Sequence, residues 1–191
     1  VIGGILFMSS AGSLIQSSEI FINIIIGCLS DAVGDDIVQD IASHGLITQN
    51  STPSRIWDFI YKNICLRFPK SDVIANPTKR GPWEMVPAFE RATGTIYSLM
   101  REERYISLKK ELPKRSNAHY VDAFIRSLNN DLIAPQDQIT LFSLDPKHFS
   151  NEDKIPEIVD KILTDLGVPN QLVNRHALIL FKSFNNELAS I

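Results

Sequence analysis

Apolar residues recur along the chain at the spacings typical of helices and of strands. A spacing of three or four residues, which places side chains on one helical face, marks four segments. The four stripes are Val33, Ile37 and Ile41; Ile56, Ile60, Ile64 and Phe68; Tyr120, Phe124 and Leu128; and Ile155, Val159, Ile162 and Leu166. Gly45 and Gly167 follow two of these stripes and predict helix ends. A fifth helix is predicted over 101–111, because Tyr105 and Leu108 face inward and Pro113 follows.

Two pairs of short apolar runs predict β-hairpins. WEMVPAFE (83–90) and TIYSLM (95–100) flank the segment RATG, in which Gly94 supplies the turn. NRHALILFK (174–182) and the tail NELASI (186–191) form the second pair, with FNN (184–186) at their junction. Runs of this length with turn residues between them are typical of antiparallel neighbours.

Weaker signals mark the segments between these elements. Residues 76–83 contain two further prolines and a glycine, so they are predicted to be a loop. Ser116 is placed to cap a helix over 117–131, and SNED (150–153) resembles a capping box. Residues 139–144 are predicted to be a short strand or an extended segment.

Helices and hairpins alternate without a strict βαβ rhythm. The sequence therefore predicts an α+β fold: an antiparallel or mixed sheet built from two hairpins with about five helices packed on it. Residues 23–191 are predicted to form one domain, truncated at its C-terminus because the last strand reaches Ile191 without a terminator. Residues 1–22 are interpreted as an N-terminal extension that is either strand-forming or not native.

Composition indicates an ordinary globular protein. The 191 residues are 44% hydrophobic and 21% charged, which excludes disordered and fibrous classes. Cys28 and Cys65 stand far apart with no CxxC motif, so they predict free thiols and a reducing cytoplasm. The apolar runs 1–8 and 20–29 are shorter than the ~18–20 residues of a membrane-spanning helix, so no membrane location is expected.

The net charge of −3 hides a division along the chain. Residues 1–50 contain five acidic residues and no lysine or arginine. Residues 51–119 hold thirteen of the nineteen basic residues against seven acidic ones, a local net charge of +6. Residues 120–191 carry six basic and ten acidic residues, a local net charge of −4. This asymmetry predicts that the middle third faces a polyanion such as DNA or RNA.

The basic residues of this middle third flank the predicted first hairpin. If the hairpin and the helix joint near Pro113 lie together, these side chains form a stripe able to contact phosphates, with Trp83 and Tyr105 near for stacking. Glu102, Glu103 and Glu111 interleave with the basic residues, so a solvated helix face is the alternative. The candidate nucleic-acid-binding residues are Lys79, Arg80, Arg101, Arg104, Lys109, Lys110, Lys114 and Arg115.

Two other function classes stay open. His119 lies three residues before Asp122, and with Glu103 these residues would equip a hydrolase or nuclease with a general base. The sequence contains no phosphate-binding glycine loop, dinucleotide fingerprint or zinc-protease motif, so no cofactor and no metal site is predicted. The third class is an interaction subunit or homo-oligomer, in which the last strand pairs with another chain through its open edge.

A set of short motifs carries a resemblance to a known family. GDD (34–36), STPSRIWDFI, KRGPWE, TGTIYSLMREERY, KRSNAHYVDA and RHALILF together resemble an uncharacterised bacterial family, a domain of unknown function. The resemblance covers about residues 23–191. It implies a bacterial protein that typically has further sequence after this region, and it implies no substrate, cofactor or catalytic residue.

Overall fold

The computed structural model describes residues 19–45, 47–80, 83–129 and 148–191. The helices are α1 (Glu19–Asp31), α2 (Ile37–His44), α3 (Thr52–Arg67), α4 (Glu102–Glu111), α5 (Tyr120–Leu128) and α6 (Ile155–Leu166). The strands are β1 (Val73–Ala75), β2 (Thr78–Arg80), β3 (Trp83–Met85), β4 (Ala88–Glu90), β5 (Thr95–Arg101), β6 (Arg175–Phe184) and β7 (Glu187–Ser190). A π-helical segment, Ala32–Asp36, joins α1 to α2.

Five of the strands form one mixed sheet, and the other two form a separate ribbon. The order in the sheet is β1-β4-β5-β6-β7, and every neighbouring pair is antiparallel except β5 and β6. These two strands are parallel in the register Thr95↔Arg175 to Arg101↔Phe181, and the chain between them includes α4, α5 and α6. Strands β2 and β3 pair with each other outside the sheet. The predicted α+β class is confirmed.

Both predicted hairpins are present, and residues with positive φ close their turns. Gly94 closes the β4–β5 turn with φ +67°, where a side chain would be strained, and a Cβ there would lie 2.4 Å from the Asn174 amide nitrogen. Asn185 and Asn186 close the β6–β7 turn with φ of 51° and 59°. Positive φ at two successive residues suits the right-handed twist of a tight hairpin.

Helices cover both faces of the sheet, giving three layers. Side chains of α1 and α3 pack on one face, around Tyr97 and Phe181 of β5 and β6. Side chains of α5 and α6 pack on the other face, around Phe89 and Ile96. The predicted stripes supply these contacts, since the apolar positions of α3, α5 and α6 are mostly buried. None of the helices in the described ranges has the length and apolar character needed to cross a bilayer.

Several local predictions need correction. The run 83–90 is divided at Pro87, because its first part pairs with β2 in the ribbon and its second part is β4. The predicted loop 76–83 therefore contains a strand. Ser116 is not a cap, since α5 begins at Tyr120, and the SNED segment forms a 3₁₀ turn without a side-chain cap. Residues 139–144 lie outside the described residues.

A polar pair lies inside the core between β5 and β6. The Ser98 Oγ and His176 Nε2 atoms are 2.8 Å apart, and both residues are buried. The imidazole stacks on Phe124 at 4.4 Å between centroids, and the Asn129 side chain bonds the His176 backbone at both N–H and C=O. Burial lowers the pKa of His176 to about 3, so the ring is neutral near pH 7.

We predict that this histidine makes folding stability depend on pH. The unfolded chain protonates His176 near pH 6.5 and the folded chain near 3, so its stabilising contribution is complete above pH 6.5 and falls as the pH drops towards 3. Between pH 6.5 and 5.0 we expect a loss of about 1.5 kcal/mol in the free energy of unfolding. Urea denaturation of the wild type and of His176→Gln at both pH values measures this loss in each protein. Equal losses in the two proteins would contradict the prediction.

Candidate nucleic-acid interface

The β2–β3 ribbon carries the first of the predicted contact residues. Its register pairs Lys79 with Glu84 and Arg80 with Trp83. The base of the ribbon is fixed to the end of α6, because the Thr78 hydroxyl donates to the Asp165 carboxylate at 2.9 Å. A lysine hydrogen bond and this hydroxyl bond hold the pKa of Asp165 below its usual range, which keeps the acceptor ionised. The ribbon is therefore anchored.

Trp83 projects from this ribbon into water. Its side chain is 71% exposed, the largest aromatic surface left open in the described part of the chain. Lys79 on the paired strand is 74% exposed, and its ammonium lies 4.0 Å from the Glu84 carboxylate. An exposed ion pair at that distance contributes little and leaves the lysine available to other anions. Trp83 is therefore not part of the hydrophobic core.

The ribbon and α4 lie at the same end of the sheet. Ala75 at the end of β1 is level with Ala88 at the start of β4, which is level with Tyr97 on β5. From this row, β5 runs on to Arg101, and the chain enters α4. The ribbon joins β1 to β4 at this same end, which we call the carboxyl edge because β5 and β6 finish there. The chain thus leaves β1 towards the ribbon in the same direction in which β5 runs to Arg101.

The basic residues of α4 are of two kinds. Arg104 donates hydrogen bonds to both Glu111 carboxylate oxygens, at 3.3 and 3.5 Å, so its guanidinium is paired along the exposed face of the helix. Lys110 is exposed, and the exposed Lys109 lies 5.6 Å from the ring centroid of Tyr105. The outer face of α4 mixes these lysines with Glu103. The solvated-face interpretation therefore holds for Arg104 but leaves both lysines able to contact a ligand.

Lys114 and Arg115 follow α4. One of them is exposed, and the other is paired with a carboxylate. Lys114 is exposed. Arg115 is 16% exposed in its side chain, donates to the Asp122 carboxylate at 2.6 Å and lies over the Phe149 ring. Arg115 therefore holds the loop after α4 against α5 and belongs to the scaffold. Lys79, Arg104, Lys109, Lys110 and Lys114 are exposed among the predicted contact residues, and Arg104 is the one of these that Glu111 binds through hydrogen bonds.

Arg101 occupies the centre of the carboxyl edge. It is the last residue of β5, and its side chain lies on the α3 face of the sheet. The guanidinium carbon is 5.8 Å from the ring centroid of Phe181, its partner in the register. The Arg101 Nη2 atom is buried and has no hydrogen-bond acceptor among the described residues.

The predicted catalytic set is only partly assembled. His119 is the N-cap of α5: its Nδ1 accepts from the Val121 N–H at 3.4 Å. Asp122 accepts from the His119 backbone N–H at 2.6 Å, which completes a capping box. Glu103, in the first turn of α4, has no hydrogen bond or ion pair to either residue in the described part of the chain. Capping explains why a histidine and a carboxylate stand three residues apart.

A cavity of about 540 Å³ lies beside His119, bounded by residues 115–120 and Ile158. Its volume is within the range of small-molecule sites. The described ranges contain no group of three or more histidine, cysteine, aspartate or glutamate residues able to hold a metal ion. Catalysis by His119 stays a prediction, and a nuclease that needs a carboxylate-bound metal finds no support in the described residues.

The third function class, an interaction subunit or homo-oligomer, depends on the open edge of β7. This strand is at the outer edge of the sheet, paired with β6 on one side only. Glu187, Ala189 and Ser190 are exposed along it. An edge of this kind can pair with another chain, although four residues make a short template. Self-association through β7 stays a prediction.

Two groups of residues were missed by sequence reasoning, one at the carboxyl edge and one in the core. Trp57 of α3 contacts Phe181, which Arg101 contacts in turn, and Tyr61 lies next to Trp57. Their helical stripe predicts core packing, and only the parallel register of β5 and β6 brings Arg101 to them. The buried Ser98–His176 pair was missed for the same reason, because 77 intervening positions separate its members in sequence.

Comparison with known protein families shows to which family the chain belongs. The profile of the family of unknown function DUF5986 matches residues 14–191. The chain belongs to DUF5986. The predicted resemblance to an uncharacterised domain is thereby confirmed, and the match begins nine residues before the predicted boundary at residue 23. No curated protein and no solved structure matches the chain. DUF5986 membership carries no activity with it, so function must be inferred from the geometry.

We predict that His119 in this DUF5986 protein stabilises α5 as its cap. His119→Ala removes the acceptor for the Val121 N–H and should lower the free energy of unfolding by about 1 kcal/mol. His119→Asn supplies another good capping acceptor and should restore most of that loss. Urea denaturation of the three proteins measures both effects. An alanine variant as stable as the wild type would contradict the capping role.

Proposed function

We propose that this protein binds nucleic acid through its carboxyl edge, with the β2–β3 ribbon as the main point of contact. The observation that carries the proposal is Trp83, 71% exposed on an anchored ribbon that also carries the exposed Lys79. Tryptophan is enriched at interfaces, where its large ring packs against a partner. Bases stack on aromatic side chains regardless of sequence, and neighbouring lysines neutralise the adjoining phosphates.

The shape of the ribbon supports this function. A two-stranded β-ribbon is one of the two elements that fit the major groove of duplex DNA, and it can also present a stacking platform to a single strand. The anchor between Thr78 and Asp165 reduces the conformational entropy lost on binding. Arg80, opposite Trp83 in the register, belongs to the same ribbon.

The exposed lysines extend the proposed surface from the ribbon along the carboxyl edge. Lys109, Lys110 and Lys114 are all exposed and lie on α4 or directly after it. The local charge of +6 in residues 51–119 supports attraction of a polyanion, although the molecule as a whole carries −3. Arg104 and Arg115 support the surface indirectly, because their carboxylate partners hold the local structure.

We also infer a cytoplasmic location. Cys28 and Cys65 are free thiols, which are typical of a reducing compartment. Burial raises the pKa of the Cys28 thiol to about 11, so it stays protonated and unreactive near pH 7. The free thiols and the proposed nucleic-acid partner together support a cytoplasmic location.

The proposal predicts a salt-dependent affinity that the ribbon controls. We expect the double variant Lys79→Ala/Trp83→Ala to bind labelled DNA or RNA at least tenfold more weakly than the wild type. Lys109→Ala/Lys110→Ala should reduce the slope of log affinity against log salt by about 2. Fluorescence anisotropy with single-stranded and double-stranded probes at two salt concentrations measures both effects.

A charge-matched variant serves as the control. Lys62 and Lys70 are exposed and lie on α3 and after it, outside both the ribbon and α4. Lys62→Ala/Lys70→Ala removes the same charge as the α4 double variant and should leave the salt slope within about 0.5 of the wild-type value. If no probe binds, or if both lysine pairs weaken binding equally, the carboxyl edge is not a nucleic-acid interface.

A further inference from the structure

Arg101 contacts the end of a row of aromatic side chains at the carboxyl edge. The Phe181 ring lies 5.8 Å from the Arg101 guanidinium carbon and contacts Trp57 edge to face, at 5.3 Å between ring centroids and 75° between planes. Trp57 in turn lies 5.3 Å from Tyr61, one turn along α3. Phe181 is 1% exposed, whereas Trp57, Tyr61 and Arg101 are all half-buried. The cluster therefore has a buried floor and a surface that solvent reaches.

The guanidinium in this cluster is only partly satisfied. Phe181 gives Arg101 a cation–π contact, but a ring face accepts no conventional hydrogen bond. The Nη2 atom is buried without an acceptor in the described part of the chain. A buried donor left unpaired costs free energy, and native structures rarely tolerate one without a reason. An anionic acceptor beside the guanidinium would remove that cost.

The position in the fold also favours a ligand. Arg101 ends β5 next to the parallel strand β6, and ligands of open α/β sheets bind outside the carboxyl ends of parallel strands. The chain leaves β5 there and turns into α4, with Arg101 as the N-cap residue but without a side-chain capping bond. Glu102 and Glu103 in the first turn of α4 limit how much negative charge the site accepts.

We propose that Arg101, Trp57 and Tyr61, with Phe181 beneath, hold one nucleotide of a single strand. Arg101 would contact its phosphate, since a guanidinium matches phosphate geometry better than an ammonium. Trp57 and Tyr61 would stack on its base, which must be outside a duplex to reach half-buried rings. This inference rests on the proposed nucleic-acid binding and narrows it to single-stranded ligands.

The two tryptophans of the chain allow a direct test. Trp57 and Trp83 are the only ones, so Trp83→Phe leaves Trp57 as the single indole fluorophore while an aromatic ring stays on the ribbon. Titration of this protein with single-stranded oligothymidylate should quench Trp57 fluorescence saturably. Anisotropy of the same oligonucleotide, labelled, gives the affinity independently of Trp57.

An arginine variant with a matched control tests the phosphate contact. In the Trp83→Phe background, Arg101→Lys retains the charge but loses the guanidinium, and we expect about tenfold weaker binding. Arg67→Lys changes an arginine that is ion-paired with Asp31 at the other end of α3, and it should bind as the background does. Circular dichroism spectra confirm that the compared proteins are folded.

The outcomes separate this inference from the broader proposal. Saturable quenching together with weaker binding by Arg101→Lys supports the single-nucleotide site. If the labelled oligonucleotide binds but Trp57 fluorescence stays constant, or Arg101→Lys binds as tightly as its background, the site is overturned while the ribbon interface stands. If anisotropy shows no binding of any single strand, this inference is overturned, and duplex binding then decides whether the ribbon interface survives.

Discussion

The parallel pairing of β5 and β6 is the interaction on which the rest of the structure depends. Seven residues of each strand are paired in one register, and helices bury both faces of the pair. Loop-closure entropy opposes a contact between segments this far apart in sequence, so burial of apolar side chains on both faces must compensate it. The buried Ser98–His176 pair fixes one register, because a shift by one residue would leave both polar groups in the core without partners.

The location of the candidate interface follows from that pairing. The β4–β5 hairpin and β1 extend the sheet on one side, and this places the β2–β3 ribbon at the carboxyl edge. The connection from β5 to β6 begins with α4. This helix, which carries Lys109 and Lys110, therefore begins at the same edge. Arg101 marks the junction of strand and helix, and α3 supplies Trp57 from the opposite layer. Arg101 and Trp57 thus both contact Phe181, although they are distant in sequence.

Sequence patterns predicted the parts of this fold that depend on local spacing. The stripes of α3, α5 and α6, the glycines that end α2 and α6, and the Gly94 turn all follow from side-chain periodicity or backbone conformation. The parallel register was not predictable, because no local signal links β5 to a strand that starts 74 residues after Arg101. The ribbon was missed because strands of three residues around Gly81 and Pro82 look like a loop. The candidate basic residues were identified by charge alone, and their ion pairs with Glu111 and Asp122 depend on geometry.

The central claim is that the carboxyl edge contacts a nucleic acid, and photo-cross-linking tests it most directly. A single strand carrying 4-thiothymidine would be cross-linked to the wild-type protein, and the attached peptides would be identified by mass spectrometry. We expect cross-links in the ribbon, residues 78–85, and in the first half of α3. Cross-links confined to the opposite end of the sheet, at the β4–β5 turn or at residues 170–174, would contradict the claim.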